Sequence, residues 1–198
     1  MNCLNDYMCQ GVGMKTVKLG SERVAWDLSA LYDRLDDPRI ATDAAAVRKD
    51  AEQLASQYRG TIASGTITAR QLQKLMAEEE RINAAVGRIG EYAELMLTTD
   101  NLDQGAKNLV AKAQELGSDI ANTLVFVPIE LGQMDQAVFD NLVADKALAT
   151  YRHYLLFIRK QREHLLSEKE EMLLSKRDLT GKLAMQRMYQ ELTSSFTY

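Results

Sequence analysis

His153 and His164 are the two histidines of the chain. Imidazoles are the side chains that most often hold zinc. A zinc peptidase places two of them one helical turn apart, with a glutamate that activates water, as His-Glu-x-x-His. Here His153 is followed by Tyr154 and His164 by Leu165, so neither opens that pattern. The two lie eleven positions apart, on one face if the helix is continuous, roughly 16 Å along its axis. Bonds of about 2 Å to a single ion cannot bridge that gap. Both histidines are expected to pack or to face water. Catalytic residues, metal ligands and cofactor-binding residues are all expected to be none.

Other chemistry-bearing patterns are similarly incomplete. Glu78-Glu79-Glu80 could support acid–base work only if burial or a like charge shifted a carboxyl pKa. Three neighbours on a helix point in different directions, so they read as a solvated turn. Glu130 stands among apolar residues in Leu124-Val-Phe-Val-Pro-Ile-Glu-Leu131. A buried carboxylate needs a cationic or amide partner, and a structural partner such as an arginine is expected for it. Cys3 and Cys9 read as reduced thiols in a leader, two ligands short of a zinc site. Gly11-Val12-Gly13 lacks the rest of a phosphate-binding fingerprint. No serine sits in a Gly-x-Ser-x-Gly elbow.

The elements that would position these residues are helical. The chain of 198 residues has 2 prolines and 11 glycines, few breakers for its length. Asp37-Pro38 starts a first helix, and Ile40, Ala44, Val47, Ala51, Leu54 and Tyr58 form one apolar stripe up to Gly60. Thr68 caps a long second helix reaching about Thr98, with Leu72, Leu75, Met76, Ile82, Val86, Ile89, Ala93 and Met96 inside. Asp103 starts a third helix through Ala106, Leu109, Val110, Ala113, Leu116, Ile120 and Leu124. The short turn between the two implies a long antiparallel hairpin. Pro128 is expected to stop or kink the third helix. A short helix over 135–144 follows. The next has Tyr151, Tyr154, Leu155 and Ile158 inside, and Arg152, Arg159, Lys160 and Arg162 outside.

At the C-terminal end, Ser167 and Glu170 form a capping box. Met172 and Leu173 continue one face, Asp178, Thr180 and Gly181 interrupt it, and a last helix carries Leu183, Met188 and Leu192. Ser195-Phe196-Thr197-Tyr198 alternates like a strand. The fold class is therefore all-α, a multi-helix lobe ending in a strand-like tail.

Three stretches resemble the oligoendopeptidase F family of zinc metallopeptidases. They are Trp26-Asp27-Leu28-Ser29-Ala30-Leu31-Tyr32, the Phe126 to Leu131 segment, and the run from Leu165 through Leu179-Thr180-Gly181. The resemblance covers about residues 23–198 and implies that family's N-terminal helical domain, after a leader over 1–22. It implies an enzyme that cleaves short peptides, with zinc in the complete protein and none in this chain. The chain's own role would be to line and size-gate the substrate channel, with the catalytic domain absent. The implied partners are that domain and, in the complete enzyme, peptides. The competing reading is a freestanding helical interaction module.

A net charge of −4, from 24 basic and 28 acidic residues, gives no nucleic-acid footprint. No apolar run is long enough to span a bilayer, and the first residues lack a secretory pattern, so a cytoplasmic location is expected. Leu183, Met188, Leu192, Phe196 and Tyr198 are expected to be left uncovered in a severed lobe and to favour self-association.

Overall fold

Asp37 accepts the Arg39 amide at 2.9 Å and Pro38 follows it, so α1 (Pro38–Tyr58) starts with one orphan donor capped and another removed. The Arg39 side chain also grips Asp37, which holds that carboxyl well below the usual range. The helix ends at Gly60, whose φ of +84° is a left-handed conformation that glycine adopts without strain. This computed structural model describes residues 27–194 and Phe196. Trp26, the leader over 1–22 and the tail residues Ser195, Thr197 and Tyr198 lie outside the described residues.

Thr68 and Gln71 cap α2 (Ala69–Thr99) reciprocally. Asp103 caps α3 (Gln104–Leu124) by accepting the amides of Gly105 and Ala106. α2 and α3 form the expected antiparallel hairpin, and α1 packs across both. The stripes read from the sequence meet there: Val47, Ala51 and Leu54 face Leu72, Leu75, Ile82, Leu116 and Ile120, all buried. Tyr32 pins the entering segment. It is 2% exposed, donates to Asp43 at 2.9 Å and meets Tyr92 edge-on at 5.3 Å.

Pro128 neither stops nor kinks α3. The break falls earlier, at Val125, and α4 (Phe126–Gln133) begins beyond it. Pro128 then sits in the first turn of α4, where its missing N–H removes no hydrogen bond. α5 (Gln136–Ala144) and a 3-10 turn over Lys146–Leu148 lead to α6 (Arg152–Lys160). A second 3-10 turn over Gln161–His164 separates α6 from α7 (Glu168–Thr180), and Gly181 separates α7 from α8 (Lys182–Ser194). The capping box forms: the Ser167 amide and hydroxyl donate to Glu170 at 2.9 and 2.6 Å.

No strand occurs among the described residues. Phe196, expected in a strand, instead donates its amide to Thr193, a turn contact that follows α8. No helix among the described residues is long and apolar enough to cross a membrane.

Candidate functional site

The chemistry of this molecule is concentrated at α4 and along the surface that follows it. Glu130 is 8% exposed, and its partner is not an arginine. Its carboxylate accepts the backbone amides of Gly60 at 2.7 Å, Ala63 at 3.1 Å and Ile62 at 3.2 Å. The tight turn after α1 aims the N–H groups of Gly60, Ile62 and Ala63 at one carboxylate, while Thr61 between them donates to the Tyr58 carbonyl, and the resulting concavity suits an anion. Glu130 thus closes a contact across roughly seventy residues of sequence, and its role is structural.

The buried arginine is Arg159, placed outside by the periodicity and found 8% exposed. Its guanidinium donates to the carbonyls of Leu131 at 2.6 Å, Gly132 at 2.8 Å and Met134 at 2.6 Å. These are orphan acceptors at the C-terminal end of α4, where a cation is also favoured by the helix dipole. Arg159 stacks over Phe139, 5.1 Å from the ring centre. α4 is therefore fixed at its middle by a carboxylate on amides and at its C-terminal end by a guanidinium on carbonyls. Arg152 does a similar service for α5, donating to Val143 and Ala144.

Fixing α4 fixes the roll of α6, and that decides which apolar residues face water. Leu155, Ile158 and Arg159 turn inward. Tyr154, expected inside, is 46% exposed, and Leu156 and Phe157 are exposed beside it. The pattern continues through Leu166, Leu173 and Leu174 to Met185, Met188, Tyr189, Leu192 and Phe196. Among the described residues, every exposed large apolar side chain except Leu95 and Leu102 lies between Tyr154 and Phe196. No described side chain of α7 or α8 is buried. Polar bonds hold this helical pair to the body: Arg59 to Glu168 at 2.6 Å, the Ser118 and Ser175 hydroxyls at 3.0 Å, and Lys107 to Glu191 at 2.9 Å.

The three glutamates on α2 differ from one another. Glu78 pairs with Arg81, and Glu80 accepts the Tyr151 hydroxyl at 3.0 Å. Glu79 is the exception to the solvated turn. It is half-buried in a groove of about 430 Å³ with Met76, Asn83 and Tyr154, and desolvation pushes its carboxyl up to about 7. Because the folded state holds this proton more tightly than the unfolded chain, its contribution is full below pH 4.5 and is lost as pH rises to about 7. Glu79→Gln is expected to remove that dependence. Thermal unfolding at pH 8 should rise relative to the parent, by at most about 3 kcal/mol, with little change at pH 4. An unchanged difference between parent and variant across that range would show that Glu79 is solvated.

The family comparison falls on the same part of the chain. The family model described as Oligopeptidase F matches residues 130–198. Oligopeptidase PepF of Bacillus subtilis (strain 168) is 27% identical over 121 residues, which are 61% of this chain and 18% of that protein. Over residues 130–198 the chain is similar to the N-terminal region of oligopeptidase F. No solved structure matches it.

The family match begins at Glu130, the residue that seats α4, and covers the exposed apolar residues from Tyr154 to Phe196. The chain spans 18% of the length of the PepF relative. His153 lies on α6 and His164 in the separate 3-10 turn, both exposed, so the continuous helix expected to carry them is interrupted. No three His, Cys, Asp or Glu side chains among the described residues converge as ligands.

Proposed function

We propose that this chain is the helical lobe of a zinc metalloendopeptidase acting on short peptides, and that the face carried by α6, α7 and α8 seats the rest of that enzyme. The observation that carries this reading is the coincidence of two patterns. The large exposed apolar residues are concentrated between Tyr154 and Phe196, inside the segment that matches Oligopeptidase F. Exposed apolar residues grouped in one part of a protein are candidates for an interface. In this reading the lobe contributes shape: it walls the approach to the zinc and admits only short, unfolded chains. Bond cleavage belongs to a His-Glu-x-x-His part that this chain does not contain. The complete enzyme would work in the cytoplasm.

The same face would serve a freestanding interaction module, and reconstitution separates the two. PepF of Bacillus subtilis, deprived of the segment matched here, is expected to bind this chain and regain chelator-sensitive peptide cleavage. A module with another partner would not restore it. Left alone at high concentration, the chain is expected to self-associate through the same face.

A further inference from the structure

Among the described residues, no side chain of α7 or α8 belongs to the buried core or to the half-buried apolar groups packed against it. The two helices pack on each other. They are tied to the body by polar bonds: Arg59 to Glu168, Ser118 to Ser175 and Lys107 to Glu191. Both ion pairs are open to water, with the Arg59 side chain 43% and the Glu191 side chain 58% exposed. Exposed ion pairs add little to stability and are screened by salt. The α2–α3 hairpin, by contrast, is held by buried apolar contacts that salt does not weaken.

The chain passes from body to helical pair at one peptide. On the body side, Leu165 is seated on Gly132 of α4. A Cβ on that glycine would meet Leu165 Cδ1 at 3.0 Å, so the missing side chain makes the seat. On the other side, the Leu166 amide donates to Glu171 at 3.0 Å and the Ser167 amide to Glu170 at 2.9 Å. Leu166 and Ser167 are thereby bound to the first turn of α7. Leu165 itself is extended, with ψ of 131°. Rotation between Leu165 and Leu166 breaks neither the seat nor the cap. We infer that α7 and α8 form an arm that swings as one body about the Leu165–Leu166 junction, latched to the body by exposed charge pairs and released at high ionic strength. The apolar surface between Tyr154 and Phe196 then has a fixed part on α6 and a movable part on α7 and α8. The inference stands independently of the peptidase reading.

The test measures distances between paired spin labels in the full chain, with Cys3 and Cys9 replaced by serine. Lys112→Cys/Arg177→Cys spans body and arm, Lys49→Cys/Lys112→Cys lies within the body, and Arg177→Cys/Gln186→Cys lies within the arm; all four positions are exposed. Salt is raised from about 0.1 M to about 1 M, which cuts the screening length from about 10 Å to about 3 Å. A population in which the body–arm distance is longer by about 10 Å, half the span of the 13-residue α7, is expected to grow with salt. The other two distances should stay as they were. At low salt, Lys107→Glu should produce the same lengthening, and Lys107→Glu/Glu191→Lys should reverse it. A body–arm distance that is the same at both salt concentrations overturns the inference. So does an arm that loses its internal distance as it leaves, which is melting rather than swinging, or a charge swap that fails to restore the latched distance.

Discussion

Glu130→Leu is expected to destabilise the chain by about 3–4 kcal/mol, a loss of roughly 10 °C in unfolding temperature for a protein of this size. The leucine keeps the apolar volume but leaves the amides of Gly60, Ile62 and Ala63 without their acceptor. Each is wholly or partly shielded from water, so the cost is that of stranded donors rather than of one lost bond. Glu130→Gln keeps one carbonyl oxygen in place and should cost about half as much. Chemical denaturation of the three proteins would order them as parent, glutamine, leucine. A leucine variant as stable as the parent would mean that the amides find water and that the contact across the chain is incidental.

Arg159→Met is expected to cost about 2–4 kcal/mol by the complementary route. Methionine fills the space of the arginine stem but donates nothing, so the Leu131, Gly132 and Met134 carbonyls lose their bonds. Arg159→Lys should recover only part of this, since one ammonium cannot reproduce a planar fork aimed at three oxygens. The distinguishing readout is local. Amide exchange should speed up at the end of α4 and in α6 before it does in the α2–α3 hairpin, because the hairpin core is formed by other contacts. Uniform acceleration across the molecule would show that Arg159 matters only to global stability.

The parts of this fold that are local in cause were legible from the sequence. Asp37-Pro38 and Gly60 mark the ends of α1 because caps and left-handed glycines act on adjacent backbone groups. The α2–α3 hairpin follows from two long apolar stripes and a short turn. Contacts across long separations were not legible. Nothing in the residues around Glu130 says that its partners are three amides some seventy positions earlier. α6 shows the same limit in another form. Tyr154, Leu155, Leu156, Phe157 and Ile158 make the helix apolar on more than one side, so spacing cannot choose the buried face. The choice is made by Arg159 reaching for the end of α4, and it leaves Tyr154, Leu156 and Phe157 outside. Glu79 looked solvated because Tyr154, which helps cover it, comes from a distant helix.

The most direct measurement is sedimentation and peptide hydrolysis of a mixture of this chain with Bacillus subtilis PepF lacking its matched segment. A complex of one chain with one truncated PepF is expected, with cleavage of a short fluorogenic peptide that a chelator abolishes. Leu156→Ser/Phe157→Ser/Tyr189→Ser, which alters only exposed side chains, should prevent both. If the excised PepF segment restores the enzyme while this chain neither binds nor restores it, or if the triple variant works as well as the parent, the α6–α8 face is not the seat of a peptidase.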